Sequence, residues 1–114
     1  MPYIETKTSV KITPEKETVL KEKLGKAIEC IPGKNETWLM LSFEDDVRMW
    51  FRGDNSAPSA MVEVKILGEA EPKYYGKMTA VICDILSSEL GIPSERIYIK
   101  YEEVENWGWN GSNF

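Results

Sequence analysis

Ile31-Pro32-Gly33-Lys34-Asn35-Glu36-Thr37-Trp38-Leu39-Met40-Leu41 and Gly91-Ile92-Pro93-Ser94-Glu95-Arg96-Ile97-Tyr98-Ile99 carry the same instruction twice: end a helix, turn, enter a strand. Glu36 and Glu95 lie 59 residues apart in these two passages. Upstream of the first, Thr13-Pro14-Glu15 reads as a helix start, with an N-cap hydroxyl, proline at the first helical position and acids in the first turn. Leu20, Leu24, Ile28 and Ile31 then recur at helical spacing, with Val19 and Ala27 widening the stripe. Before that helix, Tyr3–Val10 alternates: Ile4, Thr6, Thr8 and Val10 on one side, Glu5, Lys7 and Ser9 on the other, which predicts a strand. After it, Thr37–Phe43 predicts a second strand, and the run Trp38-Leu39-Met40-Leu41 suggests burial on both faces. A short strand over Arg48–Phe51 is expected next, closed by Gly53-Asp54-Asn55-Ser56 and Pro58.

The second passage has the same surroundings. Ala60–Leu67 predicts a strand, Glu71-Pro72 opens a helix whose buried stripe is Met78, Ile82, Ile85 and Leu86, and Arg96–Tyr101 predicts the last main strand. The chain is therefore read as a duplicated β-α-β unit, each half a crossover between parallel strands. Joining the halves gives an α+β fold, a four-stranded mixed sheet with two helices on one face. A ferredoxin-like split βαβ satisfies the same pattern. Trp38, Met40, Met61, Ile99 and Tyr101 are too many large side chains for one helix-covered face, so the open face or the sheet edges are expected to be buried by other copies of the chain. The closing Asn106-Trp107-Gly108-Trp109-Asn110-Gly111-Ser112-Asn113-Phe114 carries three large rings. It is expected to form a short strand packed at a pocket or subunit interface rather than a frayed end.

A length of 114 residues with 42% hydrophobic and 29% charged content fits a single domain over 1–114 with an ordinary core. The net charge of −5, with no clustered basic stripe, argues against nucleic acid and against an anionic membrane surface as partners. No apolar run is long enough to span a bilayer and the first residues lack the plan of a signal peptide, so a cytoplasmic location is expected. Cys30 and Cys83 are read as buried free thiols. The chain has no histidine, which excludes a His-containing zinc site and any Ser–His or Cys–His pair. Acid–base chemistry here must use carboxylates, Lys, Tyr, Cys or a chain terminus, and neither a metal nor a cofactor is expected.

The terminus is the informative choice. Proline in second position is a residue after which the initiator methionine is normally removed, leaving a secondary amine at the head of a strand. A free α-amine titrates near 7.7–8.0, and burial or a neighbouring positive charge lowers that value further, which makes a base suited to neutral pH.

Taken together, Met1-Pro2 leading into a strand, the helix ending in Gly33-Lys34, Phe51-Arg52-Gly53-Asp54, Ile66-Leu67-Gly68, Ile92-Pro93-Ser94-Glu95-Arg96-Ile97-Tyr98-Ile99 and the Asn106–Phe114 tail resemble the macrophage migration inhibitory factor family of the tautomerase superfamily. The resemblance covers essentially the whole chain. It implies a homotrimer whose sheets form a central barrel with sites between subunits, and keto–enol tautomerisation of phenylpyruvate- or dopachrome-like acids without a cofactor. By the same resemblance Pro2 is the catalytic base and Lys34 the pocket lysine, able to hold a carboxylate and to depress the proline pKa. Trp38 and Leu67 match apolar wall positions, and Tyr98, Trp109 and Phe114 match aromatic groups supplied by the neighbouring subunit. Lys100 stands where the family's pocket often has asparagine, and Trp107 where a smaller aliphatic residue is common and could narrow the mouth. The shortened, acidic Glu102-Glu103-Val104-Glu105 loop bears on substrate preference. The CxxC of some members is absent, Ser59-Ala60-Met61-Val62 occupying that region. Members of the family also act as cytokines without signal peptides. A binding or signalling role with a vestigial pocket, and non-classical secretion, are therefore the alternative.

Overall fold

The alternation read at the amino terminus is realised as strand β1, Pro2–Thr8, in which Pro2, Ile4, Thr6 and Thr8 are buried and the residues between them are half-exposed. The computed structural model describes residues 1–114. Helix α1, Pro14–Ala27, starts where capping chemistry dictates: the Thr13 side chain accepts a hydrogen bond from the Lys16 N–H, proline follows, and Glu15 and Glu17 sit in the first turn. A 3-10 turn, Ile28–Cys30, finishes it. A second 3-10 turn, Glu36–Trp38, precedes strand β2, Met40–Glu44. The second half repeats the order with β3, Ala60–Leu67, α2, Pro72–Leu90, a 3-10 turn, Ser94–Arg96, and β4, Ile97–Val104. One offset relates Pro2 to Ala60, Pro14 to Pro72 and Glu36 to Ser94, so the structural partner of Glu36 is Ser94 rather than Glu95.

The sheet order is β2-β1-β3-β4. β1 is parallel to β2 and β3 to β4, while β1 and β3 run antiparallel, which makes the sheet mixed. Each helix thus links two adjacent parallel strands with nothing inserted between them, and this excludes the split βαβ arrangement. The register puts Ile4 between Leu41 and Val64, and Val62 beside Ile99, so these side chains share the face covered by the helices. Against them pack Leu20, Leu24 and Ile28 from the first helical segment and Met78, Ile82, Ile85 and Leu86 from α2. A side chain as fully buried as Ile82 contributes about 1.5–3 kcal/mol relative to exposure. Gly91 stops α2 in the left-handed region at φ 68°, which its missing Cβ permits.

Several expectations are corrected. The second strand begins at Met40, not Thr37, because Asn35 Oδ1 accepts the Thr37 N–H at 2.8 Å and coils the chain into a 3-10 turn first. Trp38 and Met40 are not buried on both faces: β2 is an edge strand covered on one side only, leaving them 47% and 67% exposed. Arg48–Phe51 forms no strand; Phe51 and Asp54 pair across a tight turn in which Arg52 and Gly53 take positive φ. Ile99 and Tyr101 face the helices, whereas Met40 and Met61 face the open side with Tyr3, Glu5, Lys7, Glu63, Lys65, Tyr98 and Lys100. That open face is largely charged, laced by Lys100–Glu63, Lys65–Glu63 and Lys7–Glu5 pairs. Cys30 and Cys83 are free but only half-buried, and burial raises the Cys83 thiol pKa. No helix is long and apolar enough to cross a membrane.

Candidate functional site

Three chain segments meet where β1 begins. Pro2 pairs with Ile66 in the register of β1 and β3, so the terminus lies beside the end of β3. The Met1 carbonyl accepts the Leu67 N–H at 3.0 Å and the Gly68 N–H bonds to the Val104 carbonyl, tying the ends of β3 and β4 together there. Lys34, just past the first helical segment, donates from Nζ to the Leu67 carbonyl at 3.0 Å. Gly33 at φ 81° makes the turn that brings it in.

The amine of the unprocessed chain belongs to Met1, and its pKa is lowered from 8.0, first by burial and then by the positive charge of Lys34 nearby. Burial disfavours the ammonium, and so does a neighbouring positive charge, so both causes favour the neutral base. The Pro2 nitrogen is an amide in this form and has no basicity to offer. Hydrolysis of the Met1–Pro2 bond would turn it into an amine in the same surroundings and release the Leu67 N–H from its present acceptor.

A cavity of about 420 Å³ opens at this point, lined by Met1, Pro2, Tyr3, Thr37, Trp38, Leu39, Met40, Trp107, Gly108 and Trp109. It has the constitution of a small-molecule site: apolar and aromatic walls with a few placed polar groups. Its aromatic wall comes from the tail, where β5, Gly108–Trp109, and β6, Ser112–Asn113, form a miniature hairpin. The Phe114 N–H donates to the Trp107 carbonyl at 3.1 Å and closes it. Trp109 stands perpendicular to Trp38, centroids 5.0 Å apart, and Phe114 stacks on Trp109 at 6.1 Å. A larger cavity of about 620 Å³ lies in the crease between α1 and α2, but lysines and carboxylates of opposite charge line it and no reactive group points to chemistry there.

Pro2, Lys34, Trp38, Leu67, Trp107, Trp109 and Phe114 thus gather at one end of a single chain. The resemblance implied Trp109 and Phe114 from a neighbour; here β4 ends level with the start of β1, across β3, and the chain's own tail stands beside its Pro2. Tyr98 and Lys100 do not join them. Tyr98 pairs with Met61, five residues along β3 from Ile66, about 16 Å away at strand rise. There it is 62% exposed, edge-on to Phe51 at 5.2 Å. Lys100 is held on the open face by Glu102 at 2.9 Å and Glu63 at 3.2 Å, and these hydrogen bonds, Glu102 first, raise its pKa. The sequence reading missed the backbone role of Leu67, which no side-chain pattern signals. It also missed as lining residues Met40, read as buried on both faces, and Tyr3, read only as the start of a strand.

The profile of the Macrophage migration inhibitory factor (MIF) family matches residues 1–114. The macrophage migration inhibitory factor of Xenopus laevis is 32% identical over 116 residues, covering 100% of this chain and 99% of that protein. Among solved structures, Leishmania major MIF2 is 37% identical with a TM-score of 0.93, covering 100% of this chain and 97% of its own. The macrophage migration inhibitory factor homologue from Prochlorococcus marinus is 33% identical, with a TM-score of 0.82 over 98% of each chain.

Proposed function

Because the chain belongs to the macrophage migration inhibitory factor family and has the tautomerase-superfamily fold, we propose that it is a keto–enol tautomerase whose general base is the Pro2 amine freed by loss of Met1. The observation that carries this reading is the meeting of the chain terminus with an aromatic cavity, beside Lys34 held on the Leu67 carbonyl at 3.0 Å. The substrate class is a planar, enolisable acid of the phenylpyruvate or dopachrome type. Its carboxylate faces Lys34 and its side chain lies along Trp38, Trp107, Trp109 and Met40.

In the reaction the Pro2 nitrogen takes a proton from the carbon next to the carbonyl. The electrons of that C–H bond pass into the carbonyl, leaving an enolate oxygen that the Lys34 ammonium and the freed Leu67 N–H stabilise. The Pro2 ammonium then returns the proton to that oxygen, which gives the enol. No external electron or atom is needed. The working unit is a homotrimer in which a neighbouring chain brings Tyr98 to the cavity. The exposure of Tyr98 and Met40 on the open side and edge of the sheet supports that assembly.

The test is a spectrophotometric phenylpyruvate assay on protein whose intact mass shows that Met1 is gone, with Pro2→Gly and Lys34→Ala beside it. Pro2→Gly should lose the activity, and Lys34→Ala should lower kcat/KM on the order of a hundredfold, the usual effect of removing one preorganised donor. Activity unchanged in Pro2→Gly would dispose of the proposed base. An inactive mature wild type would leave recognition without turnover as the reading to pursue.

A further inference from the structure

Three indoles line the Pro2 cavity, but two of them are already engaged. Trp109 meets Trp38 at 87° and lies against Phe114 at 18°, so it is packed by two rings within the chain. Trp107 pairs with none of these rings. It is half-buried, and its backbone is fixed by the bond from the Phe114 N–H to its carbonyl and by the hairpin that begins at the next residue. A ring on a fixed backbone, facing a cavity with no partner of its own, is a stacking platform that costs little ordering to use.

We propose that Trp107 is the specificity-determining residue of this site, selecting planar aromatic over aliphatic 2-oxo acids by stacking on the substrate side chain. This rests on the tautomerase reading of the Pro2 site. A 2-oxo acid held by its carboxylate at Lys34, with its third carbon at Pro2, must send its side chain away from Lys34 and along the tail. Trp107 supplies the free ring there. An aliphatic side chain would meet the same wall without the quadrupolar contribution of an aromatic pair.

The experiment follows exchange of the C3 protons of phenylpyruvate and of 2-oxobutanoate in D2O by proton NMR, using Met1-free wild type, Trp107→Leu and Trp107→Phe. Trp107→Leu should lower the ratio of kcat/KM for phenylpyruvate over 2-oxobutanoate by about three- to tenfold, mostly through KM, the ratio that an aromatic pair contributes. Trp107→Phe should restore most of it. In parallel, the Trp107 indole N–H resonance, assigned by its loss in Trp107→Phe, should move upfield on adding phenylpyruvate and much less with 2-oxobutanoate. A ratio unchanged or raised in Trp107→Leu, or a Trp107 resonance that stays still while those of Trp38 and Trp109 move, overturns the proposal. If Trp107→Leu does not fold, the resonance titration and Trp107→Phe decide it. If mature wild type exchanges neither acid, the tautomerase reading fails by itself, and the titration still decides whether Trp107 stacks on the aromatic acid.

Discussion

Lys34 shows how much one side chain can depend on its neighbours for meaning. In sequence it is a lysine one residue past a Pro-Gly helix stop; in the fold it donates to the Leu67 carbonyl and its charge acts on the terminal amine. The same burial and the same charge that lower the Met1 amine below 8.0 would act on the Pro2 amine after processing. A general base works in its neutral form, so activity is absent below its pKa and present above it. The kcat/KM for phenylpyruvate should therefore rise with pH to a plateau, with its midpoint below the pKa of a free prolyl amine. Lys34→Ala should move that midpoint to higher pH, because the remaining cause, burial, acts alone. A pH profile of kcat/KM for the two proteins checks this; a midpoint that does not move, or moves to lower pH, would remove Lys34 from the tuning of the base.

At the scale of elements, the helices were the most legible part of the chain. The four residues read as the α2 stripe, Met78, Ile82, Ile85 and Leu86, are the four buried there. The Thr13 cap is made as read, because capping and helical periodicity are local chemistry. The Arg48–Phe51 segment failed as a strand because a strand needs a partner, and none lies alongside it in the chain. Arg96 organises this region instead. Only 9% exposed, it donates Nε to the Pro58 carbonyl and Ser59 Oγ at 3.0 Å and Nη2 to the Asp54 carbonyl at 2.9 Å, with its guanidinium 5.5 Å over the Phe51 ring. Arg96→Met would leave the Pro58 carbonyl without its donor, remove one of the two bonds to the Asp54 carbonyl, and should destabilise the fold by about 2–3 kcal/mol. Asp54→Asn should cost far less, because its side chain is half-exposed and solvent screens the pair. Urea denaturation of both variants at one protein concentration tests the contrast, and equal shifts would contradict it.

On the scale of the whole molecule, the separation of Tyr98 from Pro2 becomes a prediction about assembly. If a neighbouring chain completes each site, Tyr98→Ala and Pro2→Gly should each be impaired alone. Refolded together, they should regain activity, because mixed trimers contain sites that pair an intact Pro2 with an intact Tyr98. Size-exclusion chromatography should find three chains per particle, and a mixture no more active than its parts would place each site within one chain. By itself the sequence determined the two β-α-β halves, their helix stripes and caps, and the chemical singularity of Pro2 in a chain without histidine. These depend on local propensity, periodicity and composition. Only the tertiary structure decided the strand order, the charged character of the open sheet face, the placement of Trp109 and Phe114 beside their own Pro2, and the Leu67 backbone as a polar partner. Register and the direction of the emerging tail set each of these, and they join residues distant in the chain that no local pattern connects.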